Sequence, residues 1–287
     1  MKKILAFVLL LFLLAMGGMF CWRFNAEQND QVILTEYTVS DVRIPTEMDG
    51  YKIFLISDLH NAPFAGQICR QIKDCQPDCV LLAGDLIQLP YDDPETDMKN
   101  VWALLYEVAD TIPTYFVSGN HESASGNYYL IYQALKDHGV VSLEDKSNRL
   151  WKNDESIRIV GLQDPGGDVM ESEDKQQMLS TLEQLMDGDT EEYTILLCHR
   201  SNAYAFLKDT PVDLMLSGHM HGGVVRLPIL GGVFGNDDEA YFPAYDYGMF
   251  KESRVTLIVS GGCDKNLKKT RFNNPPETLI ITLRHAA

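Results

Sequence analysis

Positive charge is scarce in this chain: 24 Lys and Arg stand against 41 Asp and Glu in 287 residues, a net charge of −17. That balance argues against a protein holding nucleic acid by bulk electrostatics, and an anionic substrate must be drawn in by something local. Cysteine is sparse too, and six thiols in this length do not make a disulfide scaffold. Cys69, Cys75 and Cys79, in "CRQIKDC" and "QPDC", lack zinc-knuckle spacing and read as ordinary buried or half-buried thiols. There is no repeat at solenoid period and no low-complexity tract. With 45% hydrophobic and 23% charged residues, the composition is that of a globular chain with a sizeable core. Beyond the first forty or so residues, the remainder suits one large domain or two small ones.

One long apolar run stands out, Ile4 to Trp22, behind "MKK". At about 1.5 Å per residue its length is about 28 Å, close to the hydrocarbon thickness of a bilayer. No small-x-small cleavage site follows it, so residues 1–25 are expected to be a transmembrane anchor, a cleaved signal segment being the alternative. Lys2 and Lys3 then favour a single-pass cell-membrane protein with its catalytic domain outside the cytoplasm, although Arg23 pulls the other way. Residues 26–45 read as a linker and first strand, and 46–287 as the main domain.

From residue 51 the chain repeats one phrase, an apolar strand, a polar turn and an amphipathic helix. "YKIFLIS", "DCVLLA", "TYFVS", "YTILLC" and "VDLMLS" are the strands. Short continuous apolar strands separated by helices predict largely parallel or mixed sheets covered by helices, an α/β fold. "SLEDKSNRLWKNDESIRIVGL" predicts a hairpin, and "VTLIVSGG" and "ETLIITLRH" predict further strands.

The residues that follow the strands carry the chemistry. Asp58 and His60 follow the first, Asp85 the second, Asn120 and His121 the third, His199 the fourth, and His219 and His221 the fifth. Five of the seven histidines thus sit at strand carboxyl ends, where open α/β sheets bind ligands. Imidazole, carboxylate and amide oxygen without thiolate suit Mn, Fe or Zn. Asp58, His60, Asp85, Asn120, His199, His219 and His221 are too many ligands for one tetrahedral ion. They suit two adjacent ions with one bridging carboxylate, an arrangement that performs displacement at phosphorus. Two divalent cations also make a local positive spot on an acidic protein. If His219 and His221 left their strand in extended geometry, their side chains would point in opposite directions. A turn after Ser217-Gly218, eased by Gly222 and Gly223, would let the two rings straddle such a centre.

"SDLH", "GD", "GNHE", "CH" and "GHMHGG", in that order and each after an apolar strand, resemble the motif series of the calcineurin-like metallophosphoesterases. The resemblance covers about residues 50–285. Within the superfamily the chain looks like the bacterial membrane-associated branch, on its apolar start, the "GHxHGG" box and Arg271-Phe272…Pro276-Glu277. It implies a sandwich of sheets with helices on both outer faces. It further implies that Asp58, His60 and His221 hold a first metal and Asn120, His199 and His219 a second, with Asp85 bridging. His121 would act on the leaving group after attack by a metal-bridging hydroxide, and Asp85 and His121 would be the catalytic residues. Family members commonly place an acid three positions after the bridging Asp; here Gln88 stands there, which bears on how basic His121 is.

The implied activity is hydrolysis of a phosphodiester, phosphomonoester or pyrophosphate, on a phosphorylated small molecule or a lipid-linked substrate. A nucleotide or cyclic-nucleotide phosphodiesterase and a non-catalytic metal-bound membrane scaffold are the alternatives. Arg200 and Arg271 are candidates for substrate contact, and Lys265, Lys268 and Lys269 extend a basic cluster around Arg271. The aromatic segment "AYFPAYDYGMF" (240–250) reads either as an apolar lip or as packing on the core. A monomer is expected.

Overall fold

Alternation of side chains across each strand turns the apolar runs into three layers of core. In a computed structural model, which describes residues 2–235, 241–265 and 270–286, fourteen strands and eight α-helices are assigned among the described residues. The strands are β1 (Ile33–Asp41), β2 (Lys52–Ile56), β3 (Cys79–Leu82), β4 (Thr114–Phe116), β5 (Val141–Ser142), β6 (Lys146–Lys152) and β7 (Glu155–Gly161). They continue as β8 (Thr194–Arg200), β9 (Leu214–Gly218), β10 (Arg226–Leu227), β11 (Gly231–Gly232), β12 (Gly248–Phe250), β13 (Thr256–Val259) and β14 (Glu277–His285). The helices are α1 (Lys2–Gln28), α2 (Ala65–Cys75), α3 (Pro94–Asp97), α4 (Lys99–Val108), α5 (Asn120–Ala124), α6 (Tyr128–Asp137), α7 (Ser172–Met186) and α8 (Tyr204–Leu207).

Two six-stranded sheets form, ordered β1-β14-β2-β3-β4-β5 and β12-β13-β9-β8-β7-β6, with β10 and β11 as a separate pair. The neighbours β2, β3, β4 and β5 run parallel, as do β7, β8, β9 and β13. Antiparallel strands mix into both sheets: β14 beside β2, β12 beside β13, and β6 beside β7 as the expected hairpin. Between the sheets, Ile53, Leu55, Leu81 and Tyr115 from one meet Ile157, Ile195, Leu197, Leu216 and Ile258 from the other. The alternate residues Phe54, Ile56, Val80 and Leu82 face outward onto α2, α4 and α6. Val160, Leu196, Met215 and Leu257 do the same beneath α7 and α8. Because both faces of each central strand are buried, the strands read as unbroken apolar runs.

Cys69 and Cys79 are buried and Cys75 half-buried, all of them free thiols. In the aromatic segment Tyr245 is buried against Tyr204, whereas Tyr241 and Phe242 are exposed; residue 240 lies outside the described residues, as do Lys268 and Lys269.

The N-terminal expectation needs correction. Among the described residues no helix is long and apolar enough to cross a membrane, which overturns the single-pass, extracytoplasmic placement. Helix α1 continues past the apolar run into polar turns: Arg23 pairs with Glu27 at 3.1 Å, and buried Asn25 donates to the Arg271 carbonyl at 2.7 Å. Its carboxyl end is a docking element. The linker is short, since β1 begins at Ile33 and lies parallel to β14 along its whole length.

Candidate metal centre

The ends of β2, β3 and β4 in one sheet and of β8 and β9 in the other deliver the polar residues to one place. Five of the seven expected ligands leave their strands in the left-handed region: Asp58 (φ 50°), His60 (46°), Asp85 (52°), His219 (74°) and His221 (48°). Such backbones cost of order 1–3 kcal/mol each and persist only where surroundings over-determine them. Here the Asp58 N–H donates to the Gly84 carbonyl and the His60 N–H to the Asp85 carbonyl, both at 3.0 Å. Crowding explains the glycine before Asp85: with φ of 85°, a Cβ on Gly84 would lie 2.5 Å from the Gly119 nitrogen. Gly222 and Gly223, at φ of 60° and 74°, make the turn after the paired histidines.

Two groups of side chains result, each with candidate ligand atoms within 4.8 Å of one another: Asp58, His60, Asp85 and His221, and Asp85, His199 and His219. Asp85 belongs to both. Its Oδ2 lies 3.7 Å from His60 Nε2 and 3.4 Å from His199 Nε2, while its Oδ1 accepts the His121 N–H at 2.8 Å. Asp58 Oδ1 lies 3.5 Å from His221 Nε2. Asn120 joins the second group, its Oδ1 2.9 Å from His219 Nδ1 and 3.2 Å from His199 Nε2. His219 and His221, one residue apart, therefore serve different groups.

Three imidazoles have their tautomer set by an oxygen that can only accept. His60 Nδ1 donates to the Ile87 carbonyl (3.0 Å), His199 Nδ1 to the Ala83 carbonyl (2.6 Å) and His221 Nδ1 to Asp264 (2.9 Å). Each leaves Nε2 directed at the carboxylates, the orientation of metal-ligating histidines. Burial lowers His60, to about 4, and holds His219 well below the usual histidine range. Burial opposes a charge on His199 as well, yet Asp85 and Asp58 raise it to about 10. Burial would raise Asp85, but His199, His60 and His121 keep it well below the carboxylate range. The carboxylates thus favour positive charge in a region buried from water.

The family model for calcineurin-like phosphoesterases matches residues 51–223, which span all seven expected ligands and His121. The chain belongs to that family. Family membership makes it a metal-dependent phosphoric ester hydrolase. It is 28% identical over 267 residues to the uncharacterized metallophosphoesterase YkuE of Bacillus subtilis, covering 87% of this chain and 85% of that one. It is 26% identical over 241 residues to the phosphodiesterase YaeI of Escherichia coli, covering 81% and 82%. Among solved structures, TT1561 of Thermus thermophilus shares the fold with a TM-score of 0.50 at 13% identity, over 74% of this chain and 90% of that one.

Gln88 is exposed and donates its amide to the Leu89 carbonyl at 3.1 Å. The Leu89 N–H instead donates to His121 Nδ1 at 3.4 Å, and the His60 ring lies edge-on with centroids 4.4 Å apart. The two arginines expected near substrate are buried and ion-paired. Arg200 holds Asp164 through Nε at 2.7 Å, and Arg271 holds Asp264 through Nε at 2.9 Å. Lys265 pairs with Asp30 at the surface.

Two carboxylates escaped the sequence reading. Glu122, the last letter of "GNHE", is fully buried and accepts the N–H groups of Asp85, Leu86, Ile87 and Gly119. Burial and then the charge of Asp85 push its carboxyl up, to about 7, while those amides pull it back. Its place in the motif was the available signal. Asp264, by contrast, is a single acid in "GGCDKN" that nothing in the local sequence marks.

Proposed function

We propose that the chain hydrolyses a phosphoester of a phosphorylated small molecule with two divalent cations, and that it prefers diesters. The observation that carries this reading is the pair of buried Asp/His groups sharing Asp85. The residues fit cations: His60 Nε2 is buried with no hydrogen-bond partner, and the donors are imidazole, carboxylate and amide oxygen. Asp58, His60 and His221 would hold one cation and Asn120, His199 and His219 the other, with Asp85 between them. Bound there, the cations supply a Lewis-acid pull on phosphoryl oxygens and acidify water at neutral pH. The diester preference is supported by the likeness to YaeI, which is named a phosphodiesterase.

Around that centre, the chain's own groups position and protonate. His121 is half-buried at the rim, and an Nδ1 that accepts the Leu89 N–H leaves the proton of the neutral ring on Nε2. That proton is available to the departing oxygen. Asp85 fixes the His121 backbone through its N–H, so one carboxylate relates the metal ligands to the proton donor.

Purified chain loaded with Mn should carry two metals and cleave bis-p-nitrophenyl phosphate faster than p-nitrophenyl phosphate. Fewer than one bound metal, together with no cleavage of either ester, would overturn the reading; the reverse rate order would overturn the diester preference alone. His121→Asn should keep both metals and lower kcat by about 10²–10⁴-fold on an alkyl ester, the usual contribution of a positioned acid. Its loss on nitrophenyl esters should be smaller, because that leaving group scarcely needs a proton. An equal loss on both esters would remove His121 from the proton-donor role.

A further inference from the structure

The carboxyl end of α1 reaches the metal centre through a continuous chain of hydrogen bonds. Asn25 Nδ2 and Asn29 Nδ2 both donate to the Arg271 carbonyl, at 2.7 and 2.8 Å, and the Asn273 N–H donates back to Asn25 Oδ1 at 3.0 Å. The Arg271 guanidinium, 3% exposed, grips Asp264 Oδ1 through Nε at 2.9 Å and also through Nη2. That same oxygen accepts the proton of His221 Nδ1 at 2.9 Å. From the same segment, Asn274 Nδ2 donates to the His221 carbonyl at 2.7 Å. His221 is therefore held at its ring and at its backbone by one stretch, 271–274, which α1 in turn holds.

We propose that Asp264 and Arg271 are positioning residues for the metal site that contains His221, and that Asn25 of α1 and Asn29 just after it set the strength of that site. The proposal rests on the reading of the Asp/His groups as metal ligands. A charged carboxylate on Nδ1 keeps the Nε2 lone pair facing Asp58 and makes the imidazole a stronger donor; loss of such a partner typically costs roughly 10–100-fold in metal affinity. Arg271 keeps Asp264 ionised and in register, an ion pair buried on both sides. Without it Asp264 would be an uncompensated buried charge next to His221. Asn25 and Asn29 bind only the backbone of this segment, so their removal should loosen the geometry and leave every charge in place. This gives α1 a task in the chemistry of the domain, and it accounts for two buried or half-buried amides at the end of a helix that starts as an apolar run.

The 287-residue wild-type chain and the variants Asp264→Asn, Arg271→Lys and Asn25→Ala/Asn29→Ala would be titrated with Mn by calorimetry. Low-temperature electron paramagnetic resonance would distinguish coupled from isolated Mn. Wild type should bind two ions and show a coupled signal. Asp264→Asn, nearly isosteric, should weaken one site by about 10–100-fold, leave the other unchanged, and convert the signal to that of isolated Mn at limiting metal. The Asn pair should weaken the same site by a smaller factor and add nothing when combined with Asp264→Asn. Arg271→Lys, which keeps the charge but loses the two-nitrogen grip, should fall between them. A general structural role would instead weaken both sites together. That outcome, or unchanged affinities in a folded Asp264→Asn, overturns the relay and leaves the metal reading intact. Wild-type chain that binds no Mn overturns both.

Discussion

Asp85→Asn is expected to remove both metals at micromolar concentrations and to lower phosphodiester hydrolysis by about a thousand-fold or more. Loss of an outer partner of a ligand typically costs roughly 10–100-fold in affinity, and Asp85 faces both groups directly. The substitution is nearly isosteric, so the effect isolates charge. Asn can still offer Oδ1 to the His121 N–H, where Asp85 accepts at 2.8 Å. What changes is the other oxygen, 3.4 Å from His199 Nε2 and 3.7 Å from His60 Nε2, where an NH2 group has no lone pair and no charge to offer a cation. Both cation sites then lose their shared negative charge in a buried setting where little water compensates. His60→Ala or His219→Ala should differ, each weakening chiefly the site of its own group. Metal content by elemental analysis, with turnover at saturating Mn, checks the comparison. If Asp85→Asn keeps both metals at wild-type affinity, the carboxylate does not join the two groups.

What was legible in the sequence is what acts locally. Each candidate ligand lies within a few residues of the end of an apolar strand, so strand, turn and ligand could be read together. In the "GHMHGG" turn, His219 and His221 join different side-chain groups because the backbone is left-handed at both, with φ of 74° and 48°. The pairing of β1 with β14 joins nearly the two ends of the chain, and no local pattern announces it. Continuous apolar runs show that a strand is buried on both faces, yet they cannot say which residue meets the second sheet. Asp264 is invisible for the same reason: 43 residues separate it from His221, and only folding brings them to 2.9 Å. The apolar count at the N-terminus misled because it weighed composition alone. It took no account of polar turns such as Asn25, whose partner, the Arg271 carbonyl, lies 246 residues away.

Glu122→Gln should destabilise the fold far more than its isosteric shape suggests. Each carboxylate oxygen serves two backbone donors: Oε2 accepts from Asp85 and Gly119, both at 2.8 Å, and Oε1 from Leu86 at 2.7 Å and Ile87 at 3.2 Å. An amide can offer only one oxygen. Whichever way the Gln is turned, its NH2 group confronts two N–H donors that have no other acceptor among the described residues, in a fully buried place. Leaving two buried donors unsatisfied costs about 2–6 kcal/mol, at about 1–3 kcal/mol each. For a domain of this size the melting temperature should fall on the order of 10 °C. The loop opened is the one after β3, which Glu122 ties to the Gly119 turn; it carries Asp85, so affinity for both metals should fall along with stability. Chemical denaturation of metal-free protein separates the two effects, since the fold loses these hydrogen bonds whether or not a cation is present. Should metal-free Glu122→Gln unfold at the same denaturant concentration as wild type, the four amides must find other acceptors, and Glu122 is not what holds the loop.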